Sequence, residues 1–247
     1  MARYAELARQ FVRPYLPAAV VEHYSGANLS RRARKLSALA GRAATPEDRW
    51  DAISRFTEFC AYQKREEILP FLERVARLQP QRICEIGAAS GGTLCALSHA
   101  ATESALVISL DRDFTPARLK ALPQLGRPRQ TVVCIAGDSH EANIHSRVAA
   151  LIGGERLDLL FIDGDHSYAG VKADFEMYCG FVRKGGVIGF HDIVPDFTSR
   201  HGIPTPADSG GVPAFWQEIK ARFPGTQEFV GSPDQDGYGI GLLSWGG

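Results

Sequence analysis

The stretch RICEIGAASGGT, residues 82–93, decides the fold, because a short apolar run ends there in an acid and passes into a glycine-rich turn. The residues after the turn, LCALSHA (94–100), have the composition of a helix. A second apolar run, LVISLD (106–111), ends in Asp111, twenty residues after Gly91. A strand, a glycine turn and a helix, followed by an acid at the end of the next strand, are typical of a site that holds an adenosine-bearing cofactor.

From Arg82 onward, short apolar runs alternate with amphipathic segments. The predicted strands are 82–86, 106–110, 131–136, 157–162 and 186–191. The predicted helices are 91–101, 115–121, 140–151, 169–182 and 213–223, and Gly185-Gly186 is expected to end the fourth of them. Two more β segments, 226–231 and 238–245, must be antiparallel neighbours because a short turn joins them. We therefore predict an α/β fold with a Rossmann-like, doubly wound and mostly parallel sheet, closed by an antiparallel C-terminal hairpin.

The residues before this pattern carry helical and turn-like signals. Residues 2–24 are interrupted by prolines and are expected to mix both kinds of structure. The segment SRRARKLSALAGRA (30–43) predicts a basic amphipathic helix. Its charges are interpreted either as the solvated face of a helix, which we favour, or as a patch for an anionic partner.

Thr45 is a predicted N-cap, because a proline and two acids follow it directly. The helix that starts there is expected to run to about residue 62, and a second helix is expected over 64–78. We therefore predict an N-terminal helical extension over 1–62, which serves as a lid or in oligomer contacts, and one α/β domain over 63–247.

The composition is that of an ordinary globular chain, with 45% hydrophobic and 23% charged residues. The 28 basic residues balance the 28 acidic ones, so neither nucleic acid nor a membrane is expected as a partner. The five cysteines form no CxxC pair, which favours reduced thiols in a cytoplasmic protein. No signal peptide is expected, because charges and prolines interrupt the N-terminal segment early, and no transmembrane helix is expected, because no apolar stretch reaches about 18 residues.

The cofactor site is predicted around the glycine turn. Gly87 permits a tight turn, Gly91 lets the backbone approach a ligand, and Ser90 or Thr93 is expected to cap the following helix. The carboxylate of Asp111 can accept both hydroxyls of a ribose. The candidate cofactor-binding residues are Glu85, Gly87, Ala88, Ser90, Gly91, Asp111, Arg112, Asp138, Ser139 and Asp163.

The end of the third strand is expected beside the adenine. Asp138 can accept the adenine amino group there, whereas Ser139 either contributes to the same site or only caps the next helix.

Two cofactor classes compete for this site. A dinucleotide favours the spacing G-x-G-x-x-G, which Ala89 breaks. Glu85 would repel a pyrophosphate but suits an ammonium or a sulfonium, and S-adenosylmethionine carries both. The sequence therefore favours S-adenosylmethionine over NAD. An NAD-linked oxidoreductase and a non-catalytic binding module remain alternatives, as does a purely structural Glu85 that accepts backbone hydrogen bonds.

Five ionisable side chains follow the fourth and fifth predicted strands: Asp163, Asp165, His166, His191 and Asp192. Such a concentration of charge at a sheet edge is costly unless it has a function. One interpretation is a divalent metal that lowers the pKa of a substrate hydroxyl. Another is a metal-free general base, with His166 or His191 taking the proton. A third is a structural network in which Asp163 and Asp192 cap helices.

The segments EIGAASGGT (85–93), LFIDGDHSYAGVKADFE (160–176) and GGVIGFHD (185–192) resemble the class I S-adenosylmethionine-dependent methyltransferases. More narrowly, they are similar to the branch with cephalosporin-hydroxylase-like proteins and macrolide or aminocoumarin sugar O-methyltransferases. The resemblance implies a seven-stranded sheet with its last hairpin inserted antiparallel. It also implies an enzyme that methylates a hydroxyl of a sugar or natural product.

The same resemblance implies roles for individual residues. An aspartate after the fourth strand and an acidic pair after the fifth hold Mg²⁺ in metal-dependent members, which points to Asp163, His191 and Asp192 here. A second aspartate acts as the base, and Asp165 stands at its position. The candidate catalytic residues are therefore Asp165, His166 and His191. His191 replaces an expected acid, so either the preferred metal shifts toward Mn²⁺, Fe²⁺ or Zn²⁺, or the metal is absent.

Substrate specificity is expected outside the glycine turn. The long connection 194–211 predicts a lid or a substrate loop. Trp216, in GGVPAFW (210–216), is expected in the core or the lid. The expected partners are a small hydroxylated acceptor and a second copy of the chain.

Overall fold

The computed structural model describes residues 26–246, and its centre is a seven-stranded sheet. Within the described residues, three α-helices precede the sheet: α1 (Gly26–Arg42), α2 (Pro46–Ser54) and α3 (Arg65–Arg77). The parallel part then consists of β1 (Arg82–Ile86), α4 (Gly92–Ala100), β2 (Leu106–Asp111), α5 (Pro116–Ala121), β3 (Thr131–Ala136), α6 (Ala142–Ile152), β4 (Leu157–Ile162), α7 (Tyr168–Tyr178) and β5 (Val182–His191). The last described elements are α8 (Phe197–His201), α9 (Val212–Arg222), β6 (Thr226–Phe229) and β7 (Ile240–Ser244).

The strands lie in the order β3-β2-β1-β4-β5-β7-β6. Strands β1 to β5 pair in parallel, and β7 is antiparallel to both β5 and β6. The predicted doubly wound sheet with an antiparallel C-terminal hairpin is therefore confirmed. The carboxyl ends of β1 to β5 lie along one edge, and the strand order reverses between β1 and β4, which is where such sheets form a ligand crevice.

The glycine pair before the fifth strand is the first correction. Gly185 and Gly186 were expected to end a helix, but they lie inside β5, which begins at Val182. Helix α7 ends at Tyr178, and a short 3₁₀ turn connects it to β5. The register between β4 and β5 shifts at this point, and Gly185 has a φ of 76°. The two glycines therefore permit a bulge within the strand rather than a helix terminus.

The helix that starts after Thr45 is the second correction. Thr45 accepts a hydrogen bond from the Asp48 N–H at 3.0 Å, so the predicted N-cap is confirmed. The helix ends at Ser54, however, well before residue 62. The chain leaves the helix there and buries Phe56 and Phe59 in the core. The prediction for residues 2–24 lies outside the described residues.

The core lies on both faces of the sheet. One cluster joins α1 to α4 with β1 and β2, and the other joins α6, α7 and α9 with β4 and β5. Helix α1 buries one side, including Leu29, Ala33 and Leu36, and exposes basic side chains such as Arg34 on the other. This is the arrangement expected if the basic side is a solvated helix face.

None of the described helices has the length and the apolar character that crossing a membrane requires. The five cysteines are all free thiols, with Cys84 and Cys95 fully buried.

Candidate functional site

The glycine turn after β1 lies directly against the end of β4. A Cβ atom on Gly87 would come within 2.0 Å of the Asp163 carbonyl oxygen, so only glycine fits there. Gly87, Ala89 and Gly91 all have positive φ values, and for Ala89 this backbone conformation costs about 1–2 kcal/mol. The conformation of the turn is therefore closely restricted. The end of β4 leaves no room for a side chain at Gly87, and three residues of the turn need positive φ values.

The predicted caps of the following helix are wrong. Gly91 occupies the N-cap of α4 and offers no side-chain cap. The Thr93 hydroxyl instead donates to Gln63 Oε1 at 2.7 Å. Ser90 contacts the guanidinium of Arg118, which donates to the Ser90 carbonyl oxygen at 2.9 Å. Both side chains are used for long-range contacts because the helix start faces neighbouring segments and not water.

Asp111 lies at the end of β2, beside the glycine turn. Its Oδ2 accepts the Ala89 N–H and its Oδ1 accepts the Asp113 N–H, each at 2.7 Å. Burial raises the pKa of Asp111, and these two hydrogen bonds partly offset the effect. Each oxygen retains a further lone pair, and the side chain is only half-buried, so the carboxylate can still accept the hydroxyls of a ribose. Arg112 is exposed next to it.

Glu85 lies beneath the turn and is fully buried. Its Oε2 accepts the Ser109 hydroxyl at 2.9 Å, and among the described residues its Oε1 has no hydrogen-bond partner. Burial raises the pKa of Glu85 to about 8. The carboxyl is thus mostly protonated at neutral pH in the chain alone, and only its ionised form would attract a cation bound above the turn.

The loop after β3 is held from below by helix α7. The Ser139 hydroxyl donates to Asp174 Oδ1 at 2.6 Å, and the Tyr178 hydroxyl donates to the Ser139 carbonyl oxygen at 2.8 Å. Helix α6 starts only after Glu141, so Ser139 does not cap it. Asp138 accepts the His140 N–H at 2.9 Å and keeps a partly exposed carboxylate that can face an adenine.

Four of the five predicted ionisable groups meet at the ends of β4 and β5. His191 Nδ1 lies 3.1 Å from both Asp163 Oδ1 and Asp192 Oδ2. His166 Nε2 lies 3.6 and 3.5 Å from the same two oxygens. Potential ligand atoms of Asp163, His191 and Asp192 all lie within 4.8 Å of one another, a spacing that one divalent ion can span. The helix caps nearby are supplied by Ser167 and Asp196, so the capping interpretation of Asp163 and Asp192 is wrong.

Asp163, His166, His191 and Asp192 form one cluster in which each charge influences the others. Burial alone would raise the pKa of Asp163, but the charges and hydrogen bonds of His191 and His166 outweigh it and lower this pKa to about 2. Burial alone would lower the pKa of each histidine, but the two aspartates raise that of His166 to about 9 and that of His191 well above its ordinary value. In the chain alone, both imidazoles therefore hold a proton at neutral pH.

Asp165 lies outside the group formed by Asp163, His191 and Asp192. Its carboxylate is exposed and accepts the Ser167 N–H at 2.9 Å. Burial acts to raise the pKa of Asp165, but the hydrogen bonds of Ser167 and the charges of His140 and Arg112 together outweigh it and lower this pKa. Asp165 is therefore ionised at neutral pH.

Two residues near the cluster were not predicted. Gln63 Nε2 donates to Asp163 Oδ2 at 2.9 Å. The Tyr238 ring lies 6.1 Å from the His191 ring, and Lys64 Nζ lies 4.7 Å from the centre of the Tyr238 ring. No sequence signal identified Gln63, because it precedes the strand–helix pattern. Tyr238 lies two residues before the first residue of the last strand, Ile240, and its spacing carries no chemical pattern.

The C-terminal part of the connection 194–211 forms hydrogen bonds with His166. His166 Nδ1 lies 2.6 Å from the Asp208 carbonyl oxygen, and the Gly211 N–H donates to the His166 carbonyl oxygen at 2.7 Å. The connection contains α8, and it is adjacent to the cluster, as a substrate loop would be. Trp216 packs in the core and not in the connection.

A family comparison identifies the central part of the chain. Residues 84–193 match the family described as "Methyltransferase domain". An uncharacterized protein y4gI of Sinorhizobium fredii is 36% identical over 90 residues, which are 36% of this chain and 8% of that protein. An uncharacterized protein R132 of Acanthamoeba polyphaga mimivirus is 56% identical over 36 residues, which are 15% of this chain and 16% of that protein. The matched part thus spans less than a fifth of either relative.

Solved structures show the same fold. An O-methyltransferase from Bacillus cereus in complex with SAH has a TM-score of 0.53 at 17% identity and covers 79% of this chain and 90% of its own. The O-methyltransferase TomG from Streptomyces achromogenes, in complex with SAM, has a TM-score of 0.53 at 19% identity. Its alignment covers 84% of this chain and 90% of TomG. The MycE methyltransferase of the mycinamycin pathway, in complex with Mg and SAH, has a TM-score of 0.53 at 18% identity. Its alignment covers 82% of this chain and 55% of MycE.

Proposed function

We propose that this chain, a class I methyltransferase by its fold and by its family match over residues 84–193, transfers the methyl group of S-adenosylmethionine to a hydroxyl of a small acceptor. One observation carries the proposal. The carbonyl oxygen of Asp163 lies against the glycine turn, while its carboxylate belongs to the ionisable cluster. The expected cofactor site and the expected reaction site therefore share one residue, which is what a transfer between two bound molecules requires.

The cofactor has a matching set of donors and acceptors. The half-buried carboxylate of Asp111 accepts the ribose hydroxyls, and Asp138 accepts the adenine amino group. Gly87 and Gly91 let the backbone approach the methionine end, with Glu85 below it. A cation there favours the ionised form of Glu85, because it offsets the burial that raises the pKa of this carboxyl.

The cluster receives the acceptor. The acceptor oxygen attacks the methyl carbon in line, so a C–O bond forms while the C–S bond breaks and the sulfonium becomes a neutral thioether. The hydroxyl proton passes to Asp165, whose carboxylate is ionised at neutral pH, since both imidazoles of the cluster already hold a proton in the chain alone. Asp163, His191 and Asp192 can hold one divalent ion, which when bound lowers the pKa of the acceptor hydroxyl.

The acceptor is a sugar or another natural product in this proposal. Support comes from the resemblance of the motifs and from two similar structures, TomG of tomaymycin synthesis and MycE of mycinamycin biosynthesis. The connection 194–211 and Tyr238 border the cluster and are the expected specificity elements. In this proposal the protein is located in the cytoplasm, which its five free thiols support. A second copy of the chain is its proposed partner.

Calorimetry with S-adenosylhomocysteine tests the cofactor site. In Asp111→Ala we expect an affinity about 10- to 100-fold lower, because hydrogen bonds to a charged group contribute about 1.5–3 kcal/mol. Asp113→Ala is the matched control, since this neighbouring acid is exposed and only its backbone N–H contacts Asp111. Unchanged affinity in Asp111→Ala, or no binding by the unaltered chain, would refute the proposal.

Turnover with a panel of hydroxylated acceptors tests the reaction. Methylation of any of them supports an O-methyltransferase. Tight cofactor binding without turnover across sugars, phenols and aliphatic alcohols would favour a non-catalytic binding module instead.

A further inference from the structure

We propose that Gln63 is a positioning residue that orients the Asp163 carboxylate for a divalent ion and links that carboxylate to the cofactor helix α4. The inference rests on the proposed function, since it assumes that Asp163 belongs to a metal site.

Gln63 forms a buried bridge between two distant parts of the chain. Its side-chain nitrogen donates to Asp163 Oδ2 at 2.9 Å, and its side-chain oxygen accepts the Thr93 hydroxyl at 2.7 Å. Gln63 is 8% exposed and Thr93 is 5% exposed, so water does not readily replace either partner. An ionised carboxylate only accepts, which means that the amide must present its nitrogen to Asp163 and its oxygen to Thr93. The orientation of the amide is thereby determined.

The bridge separates the roles of the two Asp163 oxygens. Oδ2 is held by Gln63, whereas Oδ1 faces His191 at 3.1 Å and His166 at 3.6 Å. A carboxylate without such a partner can rotate about its Cβ–Cγ bond and present either oxygen. With Gln63 in place, Oδ1 remains directed toward the other candidate ligands. Partners that orient metal ligands in this way typically change metal affinity about 10- to 100-fold.

The backbone that carries Gln63 is packed against the start of α4. The Gly92 N–H donates to the Cys60 carbonyl oxygen at 3.3 Å. A Cβ atom on Gly92 would come within 2.4 Å of the Ala61 nitrogen, so no side chain fits between the two segments. Gln63 therefore moves with the first turn of the cofactor helix, and the geometry of Asp163 depends on the position of that turn.

The test measures binding of Mn²⁺ alone, from the electron paramagnetic resonance signal of the free ion. Gln63→Leu removes both hydrogen bonds, and we expect Mn²⁺ affinity to fall about 10- to 100-fold. Thr93→Val is nearly isosteric and removes only the contact that steadies the amide, so we expect a smaller loss in the same direction. Gln227→Leu is the matched control, because this glutamine is exposed on β6, away from the cluster.

Thermal unfolding and S-adenosylhomocysteine calorimetry are measured on the same variants. A purely structural role of Gln63 would lower stability and leave Mn²⁺ affinity unchanged, which would overturn the inference. An unaltered chain that binds no Mn²⁺ would overturn it as well, even if S-adenosylhomocysteine binds and the methyltransferase proposal stands. The reverse result, with Mn²⁺ affinity lost in Gln63→Leu but no binding of S-adenosylhomocysteine, would support Gln63 and refute the proposed function.

Discussion

At the residue scale, His191 determines which ion suits the candidate metal cluster. Its imidazole lies between two carboxylates, where the resemblance leads one to expect an acid. Mg²⁺ prefers an all-oxygen shell, whereas Mn²⁺, Fe²⁺ and Zn²⁺ accept imidazole nitrogen readily. For the proposed metal site we therefore expect a transition metal in preference to Mg²⁺.

A chelator is expected to abolish methyl transfer, and Mn²⁺ is expected to restore it better than Mg²⁺. In His191→Asp the cluster gains a third carboxylate, so we expect the preference to move toward Mg²⁺. Turnover of one acceptor with each added ion measures this change. His201→Asp, at an exposed position outside the cluster, is the control.

Full turnover in chelator would contradict the metal site. It would leave a metal-free base, and the raised pKa values of His166 and His191 would then point to Asp165, which is already ionised at neutral pH.

At the element scale, the contact between α1 and α4 includes a buried imidazole. His99 on α4 is 2% exposed, and its Nε2 lies 3.3 Å from the Leu125 carbonyl oxygen and 3.5 Å from the Ser37 hydroxyl of α1. Burial lowers the pKa of His99 to about 4, and the charges of Arg127 and Arg49 add to the effect. The folded chain therefore keeps this imidazole neutral.

Acid is expected to destabilise this contact. Between pH about 6.5 and about 4 the unfolded chain binds a proton at His99 that the folded chain does not. The free energy of unfolding therefore decreases as the pH is lowered through this range. The loss from this group amounts to about 3 kcal/mol, since one pKa unit corresponds to about 1.4 kcal/mol. In His99→Gln this contribution disappears, and urea unfolding at pH 7 and pH 4.5 measures the difference.

His201→Gln provides the comparison, because this histidine is exposed. If His99→Gln and the unaltered chain lost the same stability between the two pH values, the buried imidazole would not be the cause.

At the scale of the whole molecule, residues 26–62, the described part of the predicted extension over 1–62, contribute to the same core as the sheet. Leu29, Leu36 and Phe59 are buried in one cluster with residues of β1 and β2. Removing residues 1–62 would expose to water the apolar side chains that Leu29, Leu36 and Phe59 now cover. Each large apolar side chain contributes about 1.5–3 kcal/mol when buried, and a typical domain is stable by only about 5–15 kcal/mol.

We therefore expect the fragment 63–247 to be less stable than the full chain by several kcal/mol, or not to fold. Circular dichroism and urea unfolding measure this loss. A chain shortened by residues 1–25 alone separates the contribution of α1 and α2 from that of the preceding residues. A fragment 63–247 as stable as the full chain would instead support a true domain boundary near residue 62.

The alternation of strands and helices was predictable, because hydrophobic periodicity and glycine or proline positions are local signals. The glycine turn and the strand-end acids were predictable for a related reason: parallel strands bring their carboxyl ends to one edge. Asp111 beside the turn, and Asp163 beside His191, follow from that rule alone. The class I methyltransferase fold, recognised from the motifs, is confirmed by the family match and the similar structures.

Side-chain direction and long-range contacts were decided only in the tertiary structure. Sequence spacing placed Asp165 and Asp163 together, yet Asp165 accepts the Ser167 N–H while Asp163 faces the histidines. Gln63 reaches Asp163 across one hundred residues of sequence, and no local pattern encodes such a contact. The amino-acid sequence by itself therefore determined the sheet, the turn and the types of group at its edge. Packing decided which of those groups meet, because burial and hydrogen bonding depend on neighbours that are distant in the chain.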